Sequence, residues 1–274
     1  MERITKKIYV ETGYFGNNVG AIVTQEGVVL VESPILVADA HHWKESLRKV
    51  TDKKFVYVID THHHFDHVIG NYHFDCPVIA HRNTLPGFDY LKDHLRDELE
   101  RFFPGDRDRW EADLPNTRLV MPQITFSKEL SLHMGDCVIE LKFFGGHSSS
   151  SLSVYVPSEK VVFTGDNITD GMHPFLGQAR LSAWTDYLKG LLAAEVEAIL
   201  PGHGPVGNKE LARKFLHYLE EFMRQVKALK EAGCSPEEAA EKVDMLDLFA
   251  VDPKDRPVAS RMIAEGAKAV YAQV

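Results

Sequence analysis

Short apolar runs bounded by glycine, proline and polar clusters recur through the first 206 residues, and longer stripes at helical spacing take over after residue 208. Residues 4 to 33 gather their apolar positions around Gly13, Gly16, Gly20 and Gly27, which predicts hairpin-connected strands opening a sheet. Trp43, Leu47 and Val50, spaced by three and four, predict a helix over 39–50, and Phe55 to Asp60 returns to strand. A short helix over 68–75, a strand at Pro77 to Ala80 before His81 and an amphipathic helix over 89–103 follow. Residues 119 to 203 are again strand-rich. Beyond them Leu211, Phe215, Leu219, Phe222 and Val226 form one helical stripe, and Ser235-Pro236-Glu237 opens another helix. Strand, helix and strand in succession make this an α/β chain.

Several apolar runs end on the same kind of residue. Phe55 to Ile59 leads into Thr-His-His-His-Phe-Asp-His, with His62, His64, Asp66 and His67 inside six positions. His147 follows the run Val138 to Phe144, Asp166 follows Val161 to Thr164 with one glycine between, and His203 follows Ala198-Ile199-Leu200-Pro201-Gly202. Imidazole and carboxylate are the usual ligands of zinc and other divalent transition metals. A lone histidine triplet also arises in an ordinary solvated turn. In layered α/β folds, however, ligands gather where the carboxyl ends of strands emerge, so four such ends carrying His or Asp predict one shared metal site.

With these motifs, His62-x-His64-x-Asp66-His67, Gly146-His147, Thr164-Gly165-Asp166 and Pro201-Gly202-His203, the chain resembles the metallo-β-lactamase-fold hydrolases over about residues 8 to 206. The resemblance implies an αββα four-layer sandwich with the metals at one edge. It implies His62, His64 and His147 on a first metal, Asp66, His67 and His203 on a second, and Asp166 as the bridge. Two divalent ions are then the cofactors, zinc first, with iron or manganese as substitutes. Metal coordination lowers the pKa of bound water from about 16 to about 7, so the implied reaction is hydrolysis of a small ester, thioester or lactone by hydroxide. Asp66 is the candidate catalytic group, orienting the attacking water.

β-Lactamases of the commonest zinc subclass carry a cysteine where this chain has Asp166, which lowers the expectation of antibiotic hydrolysis. Hydrolysis of a β-lactam, phosphodiester or alkyl sulfate stays open. So does an oxidoreductase resembling the mononuclear iron persulfide dioxygenases. The cationic groups with which relatives resembling glyoxalase II bind glutathione have no motif-level match here. The expected organisation is a catalytic domain over 1–206, in which 82–118 is either a lid insertion over the substrate pocket or an insertion packed onto the body, and a helical extension over 207–274 packed on the same domain or meeting a second copy in a homodimer.

Composition narrows the partners. At 274 residues and 44% apolar content the chain can bury a sizeable core. The formal charge of −9, from 31 basic and 40 acidic residues, disfavours nucleic acid. No apolar stretch approaches the roughly 20 residues of a membrane helix. The start reads as strand rather than as a signal peptide's apolar core, and Cys76, Cys137 and Cys234 are odd in number and widely spaced, which together predict a reducing, cytoplasmic setting. A small-molecule substrate is the expected partner. Ser148 to Ser151 lack the Gly-x-Ser-x-Gly elbow of a serine hydrolase and read as a polar loop. His41, His42, His63, His81 and His133 fall outside the ligand set, as surface groups or supports of the ligands, and His173 is only a marginal extra ligand.

Overall fold

A computed structural model describes residues 1–249 and 251–274. Its first sheet is seven-stranded in simple chain order. The strands are β1 (Glu2–Arg3), β2 (Ile8–Glu11), β3 (Val19–Val23), β4 (Val28–Val31), β5 (Phe55–Ile59), β6 (Val78–His81) and β7 (Ile124–Phe126). Pairing is antiparallel from β1 to β4 and parallel from β4 to β7, the switch falling where α1 (Val37–Arg48) crosses over between β4 and β5. The second sheet runs β12-β11-β10-β9-β8, with β8 (Glu129–His133), β9 (Val138–Phe143), β10 (Leu152–Val156), β11 (Val161–Thr169) and β12 (Ala198–His203). Only the β11–β12 pair in it is parallel, joined through α5 (Leu181–Ala193).

Side-chain alternation along the strands builds the layers. On β4, Val29 and Val31 face the second sheet and pack with Ile139, Leu141, Val154 and Phe163, whereas Val28 and Leu30 face outward onto Trp43 and Leu47 of α1. The outer face of the second sheet, through Val162, Ile168 and Ile199, is covered by α5, α6 (Lys209–Glu231) and α8 (Arg256–Tyr271). The result is the α/β four-layer sandwich with helices outside two facing sheets. The α6 stripe Leu211, Phe215, Leu219, Phe222 and Val226 is buried throughout, and α7 (Pro236–Lys242) starts with the capping box of Ser235 and Glu238.

The helices adjust the expected boundaries. α1 stops at Arg48, so Val50 is left exposed. The helix expected over 68–75 begins earlier, as α2 (Phe65–Val68) inside the histidine cluster, and a separate single turn covers Asn71–His73. α3 (Leu85–Phe102) is longer than the 89–103 stripe because Pro86 is tolerated in its first turn. Phe88, Leu91 and Leu99 of α3 join Phe15, Phe65, Val68 and Trp110, the last from α4 (Arg107–Trp110), in a satellite core at the edge where the strand ends open. Among the described residues no helix is long and apolar enough to cross a membrane.

Candidate metal centre

His62, His64, Asp66, His67, His147, Asp166 and His203 meet at one edge of the sandwich. Three segments of the first sheet's edge supply four of them: His62 lies in the bend after β5, His64 precedes α2 in extended backbone, and Asp66 and His67 ride on α2 itself. From the second sheet, His147 follows the β9 end, and Asp166 and His203 lie within β11 and β12 rather than beyond them. Register irregularities between Phe163 and Gly165 and between Gly165 and Thr169 re-aim β11 at this point.

The two Thr/Pro-Gly motifs have steric reasons. Gly165 has φ 50°, and a Cβ there would lie 2.1 Å from Thr61 Oγ1. A Cβ on Gly202 would lie 1.9 Å from Asp166 Oδ1, so only glycine lets β12 pass the carboxylate.

Asp166 divides its oxygens between two groups of side chains. Oδ2 is 3.8 Å from His62 Nε2 and 3.6 Å from His147 Nε2, and His147 Nε2 is 2.9 Å from His64 Nδ1. Oδ1 is 3.2 Å from His67 Nε2 and 3.2 Å from His203 Nε2, and Asp66 Oδ2 is 3.5 Å and 3.4 Å from the same two nitrogens. Donors on a tetrahedral metal at about 2.0–2.1 Å are about 3.3–3.4 Å apart, so both groups have the separation a divalent cation requires. Among the described residues the buried His62 Nε2, His67 Nε2 and Asp166 Oδ1 have no hydrogen bond of acceptable geometry, although Asp166 Oδ1 is within ion-pair distance of His67 and His203. Such atoms are costly to bury unless something else binds them. A third grouping, Glu32 with His62 and His67, is close enough to count, yet Glu32 approaches the opposite side of the His67 ring.

Charge separates the two groups further. Burial, reinforced by neighbouring imidazoles, lowers His62 well below its ordinary range, takes His64 to about 4 and His147 to about 3, so these rings are neutral near pH 7. Burial also opposes charge on His67 and His203. There the carboxylates of Asp66 and Asp166 outweigh it, holding His67 well above its ordinary range, with help from Glu32, and His203 at about 10. Asp166 is held well below the ordinary carboxylate range because His203 and His67 overcome its burial.

Supporting side chains fix the cluster, and the sequence reading missed most of them. Glu32 is buried with φ 63°, an unusual conformation for a residue with a side chain. Its Oε1 accepts from the Thr61 N–H at 3.0 Å, while Oε2 lies 3.5 Å from His67 Nδ1. Glu32 follows an apolar run as the recognised residues do, so the same signal could have found it. Behind it, Asn71 Nδ2 donates to both oxygens of Asp60, whose burial, with the nearby Glu32 charge, raises its pKa well above the usual carboxylate value. Thr61 also accepts from Leu152 N–H at 2.9 Å, tying the two sheets together beside the histidines. Asn18 donates to the Gly202, Pro201 and Gly204 carbonyls and so holds the His203 segment.

The other histidines lie outside the cluster. His63 turns aside to Ser150 Oγ at 2.7 Å, and Ser148 to Ser151 form a hydrogen-bonded polar loop as expected. His41, His42 and His133 are exposed. His81 is neither on the surface nor behind a ligand: it is buried, stacked on Phe143 at 3.8 Å and bonded to the Ser127 carbonyl. His173 spends both ring nitrogens on Tyr218 Oη and the Leu246 carbonyl and has none left for a metal.

A cavity of about 940 Å³ opens over Asp66, His147, Asp166 and His203. Aromatic rings step outward from the cluster: Phe175 is 5.7 Å from His64, Phe102 is 5.9 Å from Phe175, and Phe65 is 5.9 Å from Phe102.

Residues 12–203 match the family model described as the metallo-beta-lactamase superfamily. The acyl-coenzyme A thioesterase MBLAC2 of Bos taurus is 27% identical over 173 residues, 59% of this chain and 61% of that protein. A metallo-beta-lactamase type 2 of Elizabethkingia meningoseptica is 23% identical over 83% of this chain and 88% of its own length. Among solved structures, the inverting sec-alkylsulfatase Pisa1 from a Pseudomonas species superposes with TM-score 0.75 at 16% identity, covering 99% of this chain and 49% of that one. A metallo-beta-lactamase from Pontibacter korlensis gives TM-score 0.61 at 20% identity, covering 80% and 97%. The chain thus spans less than two thirds of the thioesterase and about half of the sulfatase.

Proposed function

The chain belongs to the metallo-beta-lactamase superfamily, and on that footing we propose that it is a hydrolase dependent on two divalent metal ions, zinc by preference, acting on a small ester, thioester or lactone. The division of the Asp166 carboxylate between two ligand groups carries this reading. His62, His64 and His147 would hold one ion, Asp66, His67 and His203 the other, and Asp166 both. Bound there, the ions would supply an activated water near neutral pH and a Lewis acid for the scissile oxygen.

The chain's own groups do the rest. Asp66, with its carboxylate on the cavity wall, orients the attacking water and can accept its proton. Phe65, Phe102 and Phe175 shield the reacting centre from bulk solvent and receive the apolar part of the substrate. The acyl reading is supported by the thioesterase relative, and Asp166 in the bridging place weighs against β-lactam hydrolysis. A mononuclear iron site, as in the dioxygenase reading, would leave the Asp66, His67 and His203 group without a role.

We assign the catalytic unit to 1–206, with 82–118 as its cover and 207–274 as the helical extension. The test is metal analysis of protein purified without added metal, joined to a screen of esters, acyl thioesters, lactones, β-lactams, phosphodiesters and alkyl sulfates with and without chelator. Two ions per chain and chelator-sensitive acyl hydrolysis are expected. One iron with oxygen uptake on a persulfide would overturn the reading.

A further inference from the structure

The same cavity runs past the candidate metal centre to the carboxyl-terminal helix, where Val258, Ala259 and Met262 of α8 line it opposite α3. We propose that α8 is the far wall of the substrate cavity, that the cavity takes an uncharged, straight apolar acyl chain, and that Ala259 and Met262 set how long that chain can be. The proposal rests on the hydrolase reading and adds the substrate class to it.

Three observations point there. Between Asp66 and α8 the lining carries Phe65, Phe102, Phe103 and Phe175, an aromatic series beginning beside His64, and its carboxylates, Glu98, Asp106 and Asp255, disfavour an anionic chain end. At about 940 Å³ it lies near the top of the roughly 300–1,000 Å³ range of ligand pockets, more space than an acetyl group can fill. The cations on its wall are already engaged: Arg101 pairs with Glu265, and Arg109 pairs with Asp106 at 3.4 Å while lying 4.6 Å over the Phe15 ring. Among the described lining residues there is no lysine, and neither arginine is left over for a phosphate or carboxylate at the end of the chain.

The tail also holds the opposite wall in place. Arg101 of α3 bonds Glu265 of α8, and Arg261 of α8 donates to the Arg101 carbonyl. Both Ala259 and Met262 are buried and line the cavity, the first with a small side chain and the second with a flexible one, so enlarging one or trimming the other changes the wall directly.

The experiment is a series of p-nitrophenyl esters from acetate to dodecanoate on the metal-loaded full chain, its A259F variant and its M262A variant. In parallel, straight-chain alcohols from butanol to decanol displace the uncharged dye Nile red, a binding readout independent of turnover. For the wild-type chain, kcat/KM and displacement are expected to rise with chain length. A259F should cut the dodecanoate-to-acetate ratio of kcat/KM at least about tenfold, the discrimination a methylene or two carries in an apolar pocket, and flatten the alcohol series. M262A should move both preferences to longer chains, and it reports on the wall even if A259F does not fold. Chain-length profiles in both variants parallel to wild type would overturn the proposal. Length-dependent displacement lost in A259F without hydrolysis of any ester would sink the hydrolase reading and leave the wall assignment standing.

Discussion

Asp166 is the residue through which both candidate metal positions communicate, since each of its oxygens serves a different set of imidazoles. Asp166→Ala should leave at most one bound ion and reduce hydrolysis by on the order of a thousandfold or more, measured by metal analysis and initial rates on one preparation. Gly202→Ala attacks the same carboxylate sterically, because its methyl would lie 1.9 Å from Asp166 Oδ1. It should lose metal while retaining a cooperative unfolding transition. Glu32→Gln removes the charge facing His67 Nδ1 without changing size, and such an outer partner is typically worth about 10–100-fold in metal affinity. A competition titration with a chelating dye checks it. Proton linkage should distinguish the two positions. His64 at about 4 and His147 at about 3 are already unprotonated at neutral pH, so binding to their group should be nearly independent of pH above that range. His203 at about 10 must lose a proton to bind, as must the raised His67. Affinity of their group should therefore climb with pH, on the order of tenfold per unit for each proton displaced, until about pH 10.

At the level of elements, the clustered side chains were legible because their segments follow or interrupt apolar runs, and a run of Val, Ile and Phe broken by His or Asp carries its own punctuation. What holds those ligands was not legible. Glu32, Asp60, Asn71 and Asn18 act across distances in sequence of up to 186 residues, and only folding brings them beside their partners. Element ends shifted for local reasons: α2 starts inside the histidine cluster, and Asp166 and His203 lie within bulged strands that apolarity alone cannot delimit. α3 was readable as amphipathic over 89–103, where Leu91 and Leu99 are buried, but its start at Leu85 and the surface it covers were not. Phe88 is fully buried in the satellite core under α3, so Phe88→Ala should cost about 3–5 kcal/mol in denaturant unfolding. A change below about 1 kcal/mol would mean that α3 contributes little to the packed body.

Over the whole molecule, two sheets contribute to one edge: the first supplies His62, His64, Asp66 and His67, and the second His147, Asp166 and His203. Neither sheet alone supplies either of the two groups that share Asp166, so ion binding there would be coupled to docking of the sheets. Metal removal should lower the thermal midpoint, and re-addition of zinc should restore it by mass action on the folded state. The central claim, two cations bridged by Asp166, is tested most directly by diffraction from zinc-grown crystals with anomalous data at the zinc edge. Two peaks on opposite sides of the Asp166 carboxylate are expected, about 3.5–4 Å apart, one bounded by His62, His64 and His147 and the other by Asp66, His67 and His203. A single peak, or two that do not share Asp166, would contradict it.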